Sequence, residues 1–177
     1  MIPVQTLQPR LKPISSVEFW VRTQLDLIDM RHNPCKKGSK EFKWIAHIED
    51  HFTKFHVIWA MENKSADEVC YGLKRFVFPY FGLPNTFQCD NGTEFKNSLV
   101  KRLIEEWEGD CKMVHGRPRH RQSQGLVEQA NGTIERMLAS SMSQFQTTDW
   151  EDLLTQIMYN LNTQIHLVNF FNFIFMA

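Results

Sequence analysis

The chain has 177 residues, 42% of them hydrophobic, and 14 phenylalanines, enough apolar material for the core of one domain. Its 20 basic and 20 acidic residues cancel, so overall charge predicts no particular partner and argues against a general nucleic-acid-binding surface. Four scattered cysteines, with no C-x-x-C pair, are typical of a reducing, intracellular compartment. The amino terminus lacks a signal-peptide pattern, and the apolar stretch at 169–177 is shorter than the roughly 20 residues a bilayer span needs, so we expect no membrane association.

The first third of the chain predicts a sheet. Residues 1–19 carry three prolines and little periodicity, and we expect a lead-in segment there. Residues 20–30 are apolar-rich and predict a buried strand, followed by a basic, turn-rich loop at 31–40. Aromatic and β-branched residues at 41–50 and 54–62 predict the two strands of a hairpin.

Strands and helices then alternate. Ser65 followed by Glu68 is a capping-box pattern that predicts a helix start. The apolar face of that helix would consist of Val69, Leu73, Phe76 and Val77. The remaining predicted elements are a strand at 86–89, a helix from 94 to about 107, a strand at 111–114, a helix at about 123–143, and a helix opened by a second capping box at 148–151 and running to about 162. This order predicts an α/β fold with a five-stranded mixed sheet and helices on both faces.

Three carboxylates stand out by their positions. Asp26 lies inside the first apolar strand, where a charge is costly unless it is paired or binds a cation. Asp90 directly follows the strand at 86–89, and Glu128 lies early in the long helix. Oxygen ligands of this kind suit Mg²⁺, and two such ions can clamp the attacking and leaving oxygens of a phosphoryl displacement.

Each carboxylate also has an ordinary interpretation. Asp90 precedes Asn-Gly and could simply form a turn, and Glu128 could be a solvated glutamate favoured by the start of a helix. Asp29 is a local rival to Asp26. Asp50 is a second rival, although it fits better as a cap of the hairpin turn together with Thr53.

Two other patterns remain open at this point. The basic run at 117–121 is either an exposed loop or a phosphate-binding segment beside the carboxylates. The cysteines are interpreted as small buried residues, and we expect no histidine placed to activate Cys89, which adjoins Asp90.

The motifs around the three carboxylates resemble those of a known family. QLDL (24–27), CDNGTEF (89–95) and HRQSQGLVEQAN (120–131) are similar to the catalytic core of retroviral and gypsy/Ginger-type retroelement integrases, the D,D-35-E polynucleotidyl transferases with a ribonuclease H-like fold. The resemblance covers about residues 20–162 and extends to integrase-derived chains domesticated in animal genomes, including KRAB-associated ones. Residues 163–177 depart from it and form a divergent apolar tail.

The resemblance implies a set of site residues. Asp26, Asp90 and Glu128 would be both the catalytic residues and the ligands of a two-metal Mg²⁺ or Mn²⁺ site. The supporting residues would be Asn91, Gln124, Gly125 and Asn131. The nucleic-acid-binding residues would be Arg117, Arg119, His120, Arg121 and Arg136.

The function implied is divalent-metal-dependent DNA cleavage and strand transfer. DNA would be the partner, the core would form a homodimer in the nucleus, and no small-molecule cofactor or membrane would take part. One alternative is a domesticated, catalytically weak core that acts as a DNA- or protein-interaction module. Another is a ribonuclease H-like nuclease acting on RNA–DNA hybrids, which would need a fourth acidic ligand such as Asp149 or Asp152.

Overall fold

The computed structural model describes residues 18–90, 92, 98–107, 109–115 and 121–163, and for residues 98 and 121–128 it describes the backbone. The elements in chain order are β1 (Arg22–Asp29), β2 (Cys35–Lys37), β3 (Lys40–Phe42), β4 (Trp44–Asp50), β5 (His56–Met61), α1 (Ala66–Gly72), a π-helical turn (Leu73–Val77), α2 (Phe78–Phe81), β6 (Thr86–Cys89), α3 (Ser98–Glu106), β7 (Lys112–His115), α4 (Arg121–Phe145) and α5 (Trp150–Thr163). None of the described helices combines the length and apolarity that crossing a bilayer would need.

A five-stranded mixed sheet forms the centre of the fold. Its strand order is β5-β4-β1-β6-β7. β4 pairs antiparallel with both β1 and β5, whereas β1, β6 and β7 run parallel. The predicted mixed sheet is therefore confirmed, and β1 lies at its centre with its carboxyl end next to that of β6.

Apolar side chains cover both faces of this sheet, because alternate residues of each strand point to opposite sides. On one face Leu25 and Ile48 pack against α1 and α3. On the other face Ile28 and Ile45 pack against α4 and α5. Each fully buried aliphatic side chain of this size contributes about 1.5–3 kcal/mol to the stability of the fold. The prediction of helices on both faces of the sheet is confirmed.

The β4–β5 turn is built around the carboxylate of Asp50. Its Oδ2 accepts hydrogen bonds from Thr53 N and Thr53 Oγ1, both at 2.7 Å, and its Oδ1 accepts one from Trp20 N at 3.0 Å. Asp50 is fully buried. The structural interpretation of Asp50 is confirmed, and this carboxylate is committed to the turn.

The segment predicted as a loop at 31–40 contains a small hairpin instead. Strands β2 and β3 pair across Gly38 and Ser39, and Gly38 has a φ of 61°, which a two-residue hairpin turn favours. The hairpin is tied to the start of α5, where Lys37 Nζ contacts the carboxylates of Glu151, at 2.7 Å, and Asp152. Strands of three residues lack the alternation that would reveal them in the sequence.

The helix after Ser65 differs in two ways from the prediction. Ser65 Oγ accepts from Glu68 N at 3.3 Å, but the Glu68 carboxylate accepts from the backbone N–H groups of Glu62 and Asn63, so the second half of a capping box is replaced by a bond to the preceding turn. Leu73–Val77 is π-helical, and the altered pitch leaves Phe76 39% exposed, although it was predicted for the core.

Helix α5 closes the edge of the sheet with a single side chain. Asn162 Oδ1 accepts from His56 N at 2.7 Å, and Asn162 Nδ2 donates to His56 O at 2.8 Å. The amide thus satisfies both backbone groups of the first residue of the edge strand β5.

Candidate functional site

Asp26 and Asp90 lie side by side at one edge of the sheet. β1 and β6 are parallel, and Leu25 is paired with Cys89, so the next residue on each strand occupies an equivalent position. Neighbouring strands are about 4.8 Å apart. The two aspartates therefore come together although 63 residues separate them in the sequence.

The Asp26 carboxylate is held from two sides. Its Oδ1 accepts from Leu27 N at 2.9 Å, and its Oδ2 accepts from the side-chain amide of Asn131, on α4, at 2.7 Å. Burial raises the pKa of Asp26, the two hydrogen bonds oppose that rise, and the negative charge of Asp90 adds to it. A half-buried carboxylate next to a second one is a site where a cation would be favoured.

Asp90 also forms the turn that follows β6. Its Oδ1 accepts from Gly92 N at 2.8 Å, so the turn-forming interpretation is part of its role. Because Cys89 is paired with His115 on β7, the His115 ring lies next to the site, with Nδ1 at 3.4 Å from Cys89 Sγ and 3.3 Å from Asp90 O. We expected no histidine placed to activate Cys89, but strand pairing brings His115 Nδ1 into contact with its thiol.

Asn131 connects Asp26 to a buried histidine. Asn131 Oδ1 lies 2.7 Å from His47 Nδ1. His47 is completely buried in β4, and burial lowers its pKa, so the ring is neutral. Asn131 was predicted as a supporting residue, but His47 was not predicted, because the partner of a histidine in an apolar strand cannot be identified from sequence.

Several predicted site residues lie outside what the structure describes. Asn91 and the loop residues Arg117, Arg119 and His120 are outside the described residues, and for Arg121, Gln124, Gly125 and Glu128 the backbone alone is described, within α4. α4 begins at Arg121, two residues before the predicted start. Position 128 is three residues, just under one helical turn, before Asn131 on the same helix.

The remaining predicted cation, Arg136, is exposed and donates to Thr133 Oγ1 at 3.0 Å. It lines a groove between α4 and the residues that follow β1, including Met30 and Asn33. Another cation, which the sequence analysis did not single out, acts on the site: the charge of Lys64 lowers the pKa of Asp26. Lys64 Nζ also lies 5.3 Å from the ring centre of Trp44, a cation–π distance.

The rival carboxylates are engaged elsewhere. Asp29 forms a two-pronged ion pair with the Arg31 guanidinium, which lowers the pKa of Asp29 to about 2. Asp152, one of two candidates for a fourth acidic ligand, contacts Lys37 on the β2–β3 hairpin. Asp29 is therefore committed to an ion pair with Arg31, whereas Asp26 is the β1 carboxylate on which the charge of Asp90 acts.

The structure thus combines a mixed sheet, two aspartates at the ends of adjacent parallel strands, and an asparagine from a long helix that binds one of them. This combination of fold and site indicates the class of protein to which the chain belongs. The family model described as "Integrase core domain" matches residues 22–123. The chain belongs to the integrase core domain family.

Particular relatives agree with this assignment. The chain is 32% identical over 149 residues to KRAB-A domain-containing protein 2 of Homo sapiens, a match that covers 84% of this chain and 29% of that protein. It is 27% identical over 154 residues to the Gag-Pol polyprotein of Walleye dermal sarcoma virus, which covers 85% of this chain and 8% of the polyprotein. The chain thus spans less than a third of the length of either relative.

Solved structures share the fold at low sequence identity. The simian T-cell lymphotropic virus intasome, in complex with PP2A regulatory subunit B56 gamma, contains a chain with a TM-score of 0.74 and 17% identity, covering 93% of this chain and 56% of that one. The HTLV-2 integrase catalytic core domain, in a dimeric form with magnesium, has a TM-score of 0.63 and 16% identity and covers 81% of this chain and 87% of that one. These similarities confirm the ribonuclease H-like architecture of integrase cores.

Proposed function

We propose that the chain is an integrase-type catalytic core that cleaves and joins DNA phosphodiester bonds with divalent metal ions. The observation that carries this proposal is the adjacency of Asp26 and Asp90 at the ends of β1 and β6. Membership of the integrase core family supports this reaction class, and the magnesium named with the HTLV-2 core supports the kind of ion.

Asp26, Asp90 and Glu128 would hold the metal ions. The two aspartates fit this role because Asp26 is half-buried and next to a like charge, an arrangement that a divalent cation would stabilise. Glu128 is assigned by the motif, and helical spacing puts position 128 on the same side of α4 as Asn131. When bound, two Mg²⁺ or Mn²⁺ ions supply Lewis acidity at the attacking and leaving oxygens of the phosphodiester.

The protein's own contribution is to keep the carboxylates in place before substrate binds. Asn131 and Leu27 N fix the two oxygens of Asp26, and Gly92 N fixes one oxygen of Asp90. Preorganisation of this kind lowers the cost of assembling the charged site around a phosphate. Lys64, whose charge is felt at Asp26, would attract the DNA backbone.

Partners and setting follow from the same proposal. The DNA contacts would come from Arg117, Arg119, His120, Arg121 and Arg136, with Asn91, Gln124 and Gly125 shaping the site. The core would act as a homodimer, as the HTLV-2 core is described in one of its structures, and a DNA substrate implies the nucleus.

The test is nicking and strand joining on duplex oligonucleotides with Mn²⁺. We expect activity in the parent chain and its loss in Asp90→Asn and Glu128→Gln. Asp29→Asn, which alters the β1 carboxylate that is paired with Arg31, should retain activity. Absence of cleavage under all metal conditions would refute the enzymatic proposal. Retained DNA binding in that case would favour the interaction-module alternative.

A further inference from the structure

Two histidines and a glutamate form a buried cluster beside the carboxylate site. His47 and Glu49 are alternate residues of β4 and so share one face, and Glu49 is paired across the strands with His56 of β5. All three are almost fully buried, with exposures of 0%, 3% and 4%. Each offers a ligand atom, and these atoms lie within 4.8 Å of one another.

One oxygen of this cluster is without a partner. Glu49 Oε1 accepts from Lys54 Nζ at 2.8 Å, but Glu49 Oε2 is buried and has no hydrogen-bond partner among the residues that the structure describes. An unpaired buried oxygen on a carboxylate costs free energy that a hydrogen bond or a cation would recover. The neighbouring imidazoles make a cation the better match.

The hydrogen bonds on the other side of His47 fix the state of its ring. Asp26 accepts from Asn131 Nδ2, so Asn131 Oδ1 faces His47 and must accept from Nδ1–H. His47 Nε2 therefore carries a lone pair, and it points to His56 Nδ1 at 2.8 Å. A histidine that donates one ring N–H to an oxygen acceptor and directs its other nitrogen inward has the usual arrangement of a metal ligand.

We propose that His47 Nε2, Glu49 Oε2 and His56 Nδ1 form a zinc site distinct from the carboxylate pair. Two imidazoles and one carboxylate suit Zn²⁺ far better than Mg²⁺, which prefers oxygen ligands. Zinc–ligand distances of about 2.0–2.2 Å require ligand atoms about 3.3 Å apart, so the 2.8 Å between the two rings would open by about half an ångström. Water takes the fourth coordination position of the zinc ion, and the ion binds as the β4–β5 hairpin folds.

Lys54 provides a direct test of the proposal because its positive charge disfavours a bound cation. Its ammonium group is next to Glu49 and repels a cation bound there. Replacing it with an uncharged side chain of similar length should therefore strengthen zinc binding, whereas loss of any ligand should weaken it. A purely structural hydrogen-bond cluster predicts no zinc binding and no such pair of opposite effects.

The experiment is a titration of the metal-free full chain with Zn²⁺ in magnesium-free buffer, followed by calorimetry and melting temperature. We expect one equivalent to bind and to raise the melting temperature. Co²⁺ in place of Zn²⁺ should show the intense visible absorption of a tetrahedral ion.

Variants assign the site. Glu49→Gln and His56→Gln should each weaken zinc binding more than about tenfold, because even the loss of a residue that only hydrogen-bonds to a metal ligand lowers affinity by about tenfold or more. Lys54→Met should tighten zinc binding. His32→Gln, in an exposed histidine, is the matched control and should bind as the parent does.

Two further variants separate this site from other ligands. Asp90→Asn should retain zinc binding while losing DNA cleavage, so the zinc site and the proposed function can fail independently. Cys111→Ser, in the most exposed thiol of the chain, should also retain it. Absence of stoichiometric zinc, or zinc binding unchanged in both Glu49→Gln and Lys54→Met, would overturn the proposal. Lys54→Met still tests the site if a variant of one of the zinc ligands fails to fold.

Discussion

Replacing Asn131 with alanine removes the link between Asp26 and His47, and we expect it to destabilise the protein substantially. The Asp26 carboxylate loses a hydrogen bond of 2.7 Å, worth about 1.5–3 kcal/mol for a charged partner. His47 is completely buried, and leaving its Nδ1–H without an acceptor costs about 1–3 kcal/mol. The expected loss is therefore about 2.5–6 kcal/mol in the free energy of unfolding.

Urea unfolding followed by circular dichroism measures this loss. In a His47→Leu background the cost of Asn131→Ala should fall by about half, because the contact with Asp26 alone remains. Asn160→Ala, an exposed asparagine of α5 that accepts from Gln156, is the control and should change stability by less than about 0.5 kcal/mol. Equal costs of Asn131→Ala in both backgrounds would show that Asn131 does not couple the two residues.

Two further predictions concern packing and pH. Gly72→Ala should destabilise the fold by about 1–3 kcal/mol instead of giving the usual gain in a helix, because a Cβ there would overlap the buried indole of Trp59, and Trp59→Leu should remove the penalty in thermal melts. Burial lowers the pKa of His51 from the ordinary histidine value of 6.5 to about 4, and burial also lowers the pKa of His47. As the pH falls, the unfolded chain therefore binds protons at these histidines before the folded chain does, and stability that is present above pH 6.5 should be lost as the pH falls toward 4. In urea unfolding, the midpoint should fall over this range, and His51→Gln should make the fall smaller. A midpoint that rises on acidification would contradict this prediction.

The sequence predicted the parts of the fold that repeat with a clear period. The five strands and the apolar faces on both sides of the sheet are each predicted from many residues. One residue that breaks the apolar pattern therefore does not change the prediction. Phe76 shows the opposite case, because a single π-helical turn rotates it out of the core without any signal in the apolar spacing. The β2–β3 hairpin was missed for a related reason: three-residue strands show no alternation.

The site divides along a similar line. Asp26 and Asp90 could be predicted because their motifs are local and their strands are parallel neighbours. His47 and His115 could not, because the partners of each depend on strand register and on where α4 crosses the sheet. Polar residues within apolar strands are the sequence signal that was available, and they are informative once the pairing of strands is known.

The contact of Asn162 with the first residue of β5 has a practical consequence for defining the smallest autonomous unit. One side-chain amide imitates the peptide group of a missing neighbouring strand at His56. A fragment cut before position 162 would uncover two backbone groups at an unprotected margin, where another molecule could add a strand and start aggregation. Shortened versions intended for crystallisation should therefore keep the whole of α5, through Thr163.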